Sequence, residues 1–339
     1  MESSLRRLAL TLSALTATGL MLTACGGSSS STSAADPQQV QGGQTITQFW
    51  PLTGLQVSSG KTAQLDHPVL VAKMDNTVSS QPQVGLSKAD MVVEELVEGG
   101  LTRLAAFYYS DIPTNAGPIR SMRASDIPVV SPVHASMVTS GAAARTIALI
   151  KHAGIPYYTE GSQGFYRSSQ RAAPYNLFAH LNEVAASAKA KPATPPDYLT
   201  WGSESDLPKG IKVTSIGAQF SGGHTTEWQF TNGSYHNVNS NAPAGDQFPA
   251  TNVLVLRVRE GNAGYLDPAG NPVPQTLLTG TGNALLFHGG RMIAGNWKKG
   301  KADSPIQLTT KKGAVLKVPA GHTWIELVPV NGGTVRFKK

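Results

Sequence analysis

Glycine and proline interrupt this chain so often that short strands and turns are the natural filling between them. Its 35 glycines and 22 prolines occupy 57 of 339 positions, about 17% against roughly 12% in an average protein. Each is a point where regular backbone turns or stops. Charged residues make up only 14% and hydrophobic ones 40%, too apolar a mixture for a disordered chain. No repeat of about 20 to 50 residues marks a solenoid, and no series of apolar runs about 20 residues long marks a polytopic membrane protein.

The N-terminus reads as an export signal. Arg6 and Arg7 precede a weakly apolar run from Leu8 to Leu22, which closes on Leu22-Thr23-Ala24-Cys25-Gly26. That is a lipobox: small residues let a signal peptidase bind extended backbone, and the Cys25 thiol accepts the diacylglycerol. Residues 1–24 are therefore expected to be a lipoprotein signal peptide. The lipid on Cys25 is expected to hold the exported protein to the outer face of the cell membrane, since two or three acyl chains anchor stably. Cys25 is the only cysteine, which leaves no disulfide and no thiolate metal site. Residues 25–46, rich in Ser, Thr, Gly and Gln, are expected to form a flexible tether with a reach of roughly 25 Å.

The remaining sequence divides at Lys191 to Pro196, with three prolines in six residues. Residues 47–190 are expected to form an α+β or α/β domain with a mixed sheet, 191–200 a Pro-rich linker, and 201–339 a smaller, mostly-β domain. In the first part, His67 to Met74 reads as a strand. Asp90 to Glu98 and Leu101 to Tyr109 read best as two strands joined at Gly99-Gly100; a helix is the rival for the first arm, with Ser87 and Asp90 as a capping box and Gly99 as its stop. Val133 to Thr139 reads as a strand, and Ala142 to His152 and Leu177 to Lys189 as helices. After residue 200 the expected strands are Lys212 to Phe220, Thr225 to Phe230, Asn252 to Val258, Ala284 to His288, Arg291 to Ala294, Val315 to Val318 and Thr323 to Val328.

Four phrases before residue 190 carry a resemblance: VAKMDN ending at Asn76, QPQVGLSKADMVVEELVEGGLTR from Gln81, GPIRSMR from Gly117, and R-x-x-x-R-A-A-P-Y-N-L-F from Arg167, which includes Asn176. With FSGGHTTEWQF, ATNVLVL, GGRMIAGNWKK and GHTWIELVP further on, they resemble the YerB-like lipoprotein family, a domain of unknown function. The resemblance implies a lipid-anchored, two-part extracytoplasmic protein and no particular activity. Ser140-Gly141-Ala142 and Tyr175 depart from that family's usual Gly-Gly-Ser and His.

Chemistry-bearing residues concentrate in the first part. Arg103, Arg120, Arg123, Arg167 and Arg171 are five of its six arginines, and most lie beside Gly, Ser, Ala or Pro. Arginine grips carboxylate or phosphate in a two-point fork, so an anion site is one reading. Structural ion pairs with Asp75, Glu94, Glu95 and Glu98 are the other. Ser140-Gly141, before an alanine-rich helix start, could add backbone N–H groups to an anion site. In a strand, Glu94 and Glu98 face one side and Glu95 the other.

No cofactor or metal site is expected: the eight histidines have no zinc-ligand spacing, and Walker, nucleophile-elbow and dinucleotide motifs are absent. Without residues 1–24, 26 basic residues face 20 acidic ones, and the excess lies after Thr200, where 14 meet 8. Arg291, Lys298, Lys299, Lys301, Lys311, Lys312, Lys317, Arg336, Lys338 and Lys339 make a solvated face or one drawn to anionic lipid headgroups or acidic wall polymers. An exported location makes nucleic acid an unexpected partner. Two functions fit: a binding or scaffold module for an anionic envelope polymer or envelope protein, and an enzyme on a phosphate- or carboxylate-bearing glycopolymer or lipid-linked precursor. The enzyme would use the arginines as anion holders and Glu94 or Asp75 as base.

Overall fold

The most apolar runs of the chain scarcely alternate with polar residues because they are strands covered on both faces. This computed structural model describes residues 49–339 except 189–190 and 268–269; the expected signal peptide, Cys25 and the whole 25–46 tether lie outside the described residues. Strands β1 (Leu70–Asp75), β2 (Met91–Leu96) and β3 (Thr102–Tyr108) come first, buried at almost every position. β2 and β3 are the two arms expected around Gly99-Gly100 and pair antiparallel. The turn holds Gly99 at φ 69° and Gly100 at φ 72°, values that side chains with a Cβ resist.

Helix α1 (Asp126–Val130), strand β4 (Ser136–Val138), helix α2 (Ala144–His152) and strand β5 (Tyr157–Tyr158) follow. A ribbon of β6 (Phe165–Arg167) and β7 (Leu177–Ala179) precedes helix α3 (Leu181–Ser187). The helix expected from Leu177 therefore starts late. Leu177–Ala179 pairs with β6, and the Leu177 and Ala179 carbonyls accept from Ile119 and Ala116, which commits the backbone groups a first helical turn needs.

Beyond residue 200 the chain is almost entirely strand: β8 (Trp201–Gly202), β9 (Ile211–Lys212), β10 (Ser215–Gln219), β11 (Thr225–Thr231), β12 (Ser234–Asn237), β13 (Asn252–Leu266), β14 (Pro272–Leu277), β15 (Gly280–His288), β16 (Arg291–Lys299), β17 (Gln307–Thr310), β18 (Val318–Pro319), β19 (Thr323–Pro329) and β20 (Thr334–Lys338). Four of these, β12, β14, β17 and β20, are polar or carry proline and owe their extended form to their neighbours. The expected strand at Val315 shrinks to Val318–Pro319.

The main sheet runs β17-β16-β15-β13-β19-β2-β3-β1-β4-β5, with β14 on β13 and β9 on β16. It is mixed, as expected: β1–β4, β4–β5, β13–β19 and β19–β2 are parallel. Strands outweigh helices even before residue 190, where the helices have five, nine and seven residues. The β19–β2 pair joins the two sequence halves in one sheet. At the end of the Pro-rich segment Tyr198 and Leu199 are buried, and the Tyr198 hydroxyl donates to the Val129 carbonyl at 2.9 Å.

Each face of the sheet has its own core. Val71, Val93, Phe107, Leu254 and Ile325 meet Val129, Val130 and Ile150 of the α1–α2 side. On the other face, Ala72, Val92, Leu104, Val255 and Trp324 meet Leu181 of α3 and Ile216 and Trp228 of a second sheet, β12-β11-β10-β20.

Candidate anion-binding cleft

Strand ends and one loop build a cleft of about 230 Å³ at the edge of the first core, lined by Asp75, Glu98, Arg103, Arg120, Arg123, Tyr175 and Asp267 among others. β1 and β3 pair so that Asp75 lies beside Arg103. The Gly117–Arg123 segment brings the other two arginines over them. Arg120 Nε lies 2.9 Å from Asp75 Oδ2, with its N–H out of line for a hydrogen bond, and its guanidinium stacks over the Tyr175 ring at 5.4 Å. Arg123 grips Glu98 in a two-point fork, Nε to Oε1 at 2.7 Å and Nη2 to Oε2 at 2.9 Å. Burial pushes the Glu98 carboxyl up, but the Arg123 bonds outweigh it and leave it below the usual range.

Arg103 differs from both. Only 8% of it is exposed, and its one hydrogen bond among the described residues runs from Nη1 to the Ser121 carbonyl at 2.8 Å. It makes no ion pair within 4.0 Å among them. Burial, then repulsion from Arg123 and Arg120, lowers its pKa to about 10, still charged at neutral pH. Its Nε and Nη2 have no acceptor among the described residues and are reached by solvent.

Beneath the cleft lies a buried ion network that the sequence did not announce. Lys73 Nζ donates to Glu95 Oε1 at 2.5 Å and Asp126 Oδ1 at 2.8 Å, all three side chains at most 1% exposed. The Arg123 backbone N–H donates to the other Asp126 oxygen at 2.6 Å, tying the network to the cleft. Burial pushes Glu95 up to about 7 against the pull of Lys73. Glu260 of β13, bonded by the Thr276 hydroxyl at 3.0 Å, is pushed up by burial to about 8. Lysine inside an apolar run, VLVAKM, was the one visible signal.

Glu94 lies on the opposite face of the sheet, away from the cleft. Its carboxylate accepts from Asn76 (3.0 Å), Thr102 (2.7 Å), His224 (2.8 Å) and Thr226 (2.9 Å). Its neighbour on β19 is Glu326, which accepts from the Trp228 indole at 2.7 Å and has a second oxygen, Oε2, with no partner. Burial raises Glu94, but its donors, His224 first, bring it below the ordinary range. Burial and the charge on Glu94 lift Glu326 well above it. One proton held by Glu326 thus relieves the pair. Burial lowers His224, but donating to the Glu94 carboxylate and the charge there outweigh it and leave His224 raised.

The remaining sequence candidates disperse. Arg167 pairs with Glu160 on the surface, Nε to Oε1 at 2.5 Å, and its Nη1 donates to Asn176 at 2.7 Å. Arg171 donates to the Ser80 and Pro82 carbonyls at 3.0 and 2.6 Å. Ser140 shares a hydrogen bond with Ser121 at 3.1 Å, and neither it nor Gly141 lines the cleft. Glu98 is a correction: it does not share Glu94's face, because β2 ends at Leu96 and the Gly99-Gly100 turn carries Glu98 over to Arg123. Neither carboxylate considered as a base is free. Glu94 is sealed under its donors, and Asp75 accepts from Thr77 N at 2.8 Å while facing Arg120. Among the described residues, no group of three or more His, Asp or Glu side chains could hold a metal ion, and no helix is long and apolar enough to cross a membrane.

Comparison with known proteins adds the following. Residues 52–194 match the family described as "Protein of unknown function (DUF3048) N-terminal domain", and residues 215–325 match its C-terminal domain. The chain is 26% identical over 298 residues to "Putative lipoprotein YerB" of Bacillus subtilis (strain 168), which covers 82% of this chain and 86% of that protein. Its fold is similar to the crystal structure of the YerB protein from Bacillus subtilis, with a TM-score of 0.69, 21% identity, and coverage of 85% of this chain and 99% of that one.

Proposed function

We propose a binding role for this chain, which belongs to the YerB-like family of DUF3048 proteins. It acts as a module of the cell envelope, held to the outer face of the membrane by lipid on Cys25, and its cleft grips an anionic group of an envelope polymer or protein. The lipobox and the relative's description as a lipoprotein support the location.

One observation carries the binding reading. Of the three guanidiniums that line the cleft, Arg120 and Arg123 face carboxylates, while Arg103 is nearly buried and makes no ion pair among the described residues. A buried cation is ordinarily matched by a buried anion. A ligand anion bound directly to Arg103 adds the ion pair that Asp75 and Glu98, engaged with Arg120 and Arg123, do not make with it, which makes Arg103 the grip and the other two arginines its frame.

Calorimetric titration of the full chain with sodium acetate and with sodium phosphate tests this. Saturable binding of at least one salt is expected, weakened in Arg103→Lys and retained in Arg167→Lys, which alters only contacts to Glu160 and Asn176 outside the cleft. If neither salt binds saturably, the reading is withdrawn.

A further inference from the structure

We propose that the anionic group the cleft selects is a carboxylate, a planar group with a single charge, in preference to a phosphate. The proposal rests on the binding reading above and deepens it.

Two features of the lining favour one charge over two. Three carboxylates, Asp75, Glu98 and Asp267, share the lining with three guanidiniums. Two of those guanidiniums already face carboxylates, Arg120 at 2.9 Å from Asp75 and Arg123 at 2.7 Å from Glu98. A ligand with two negative charges would neutralise Arg103 with the first and bring the second against the lining carboxylates. At the short distances inside this cleft, that repulsion is screened less than in bulk water.

The shape of the free donor set favours a planar group. Arg103 spends Nη1 on the Ser121 carbonyl, and its Nε–Nη2 edge has no acceptor among the described residues. That edge offers two parallel N–H groups at the spacing of the two oxygens of a carboxylate. The Ser121 bond and the packing of Arg103 between β1 and β2, beside Asp75 and Glu95 in register, hold the guanidinium in one orientation. A tetrahedral phosphate needs donors from several directions. Arg123, committed to Glu98 by its own fork, is poorly placed to supply them, and Arg120, 2.9 Å from Asp75, brings that carboxylate's charge with it.

The test is a titration of the full chain at pH 8 with three probes: acetate, dimethyl phosphate with one charge, and methyl phosphate with two. Acetate is expected to bind at least about tenfold more tightly than either phosphate, and Arg103→Lys, which keeps the charge but loses the fork, to weaken acetate by about tenfold. Methyl phosphate binding as tightly as acetate overturns the single-charge argument while leaving an anion site in place. Dimethyl phosphate binding as tightly as acetate overturns the planar fork. Acetate binding unchanged in a folded Arg103→Lys overturns the assignment to Arg103. If no probe binds, the cleft is not an anion site and the underlying reading fails first. The ranking of probes is measured on the unaltered protein, so it stands even where the variant does not fold.

Discussion

Lys73 shows what a single side chain costs and returns in this fold. A lysine with no solvent exposure is tolerated because Glu95 and Asp126 both accept from it. Lys73→Met leaves two buried carboxyl groups without their cation, and breaking such a set costs about 3 to 5 kcal/mol. The loss, read from urea unfolding, is expected to be larger at pH 8 than at pH 6, because Glu95, raised to about 7 even beside Lys73, can shed its charge at the lower pH. Arg167→Gln removes an ion pair whose side chains are 43% and 48% exposed and is expected to cost less than about 1 kcal/mol. At this scale the sequence was half legible. Arg103, Arg120 and Arg123 could be grouped because Gly, Ser and strand ends flank them, yet Arg167 and Arg171 share that setting and lie elsewhere. What separates them is the partner each finds through the fold, and no local pattern records it. His224 and Glu326 were missed for the same reason: they meet Glu94 only because β19 and the β10–β11 turn are brought beside β2.

The β2–β19 pair is the element on which the two sequence halves depend, and it holds two carboxyls in register, Glu94 and Glu326. Other titratable or polar groups facing this pair are His224, Thr102, Thr226, Asn76 and Trp228. Glu326 is raised well above its ordinary value of 4.5, so the folded state holds a proton that the unfolded chain releases. Its contribution to stability is complete below pH 4.5 and is lost as pH rises through the folded pKa. His224, raised above 6.5, acts in the same sense at higher pH. Glu94, lowered from 4.5, acts in the opposite sense, and its contribution is lost only in acid. Urea midpoints are therefore expected to fall between pH 5.5 and pH 8.5. Glu326→Gln keeps a neutral donor beside Glu94 and is expected to shrink the fall without abolishing it, because Glu95 and Glu260 add to it in the same direction. An equal fall in both proteins contradicts the shared proton. The strands of this seam were plain in the sequence as apolar runs, but their pairing was not: β-register between distant segments depends on the whole sheet, and nothing in MVVEEL or TWIELVP names the other.

For the whole molecule, one sheet through both family domains means that the described residues form one compact unit. Tryptophan fluorescence, with Trp50 in one half and Trp201, Trp228, Trp297 and Trp324 in the other, is expected to report the same urea transition as far-UV circular dichroism. Two separated transitions would mean that the halves fold apart despite the seam. Truncation after Thr200 removes β19 and bares the edge of β2, so that fragment is expected to aggregate or remain unfolded. Location is checked separately: Cys25→Ser is expected to move the protein from the membrane fraction to the soluble one, and retention after a high-salt wash would contradict the lipid anchor. The most direct measurement concerns the cleft, and it asks where an anion goes when nothing but charge and donors can guide it. Crystals soaked in sodium bromide and measured at the bromine absorption edge should give an anomalous peak inside the cleft, within hydrogen-bonding reach of Arg103. Peaks confined to exposed lysines and to Arg167, with the cleft empty, would contradict the assignment of Arg103 as the cation that waits for a ligand.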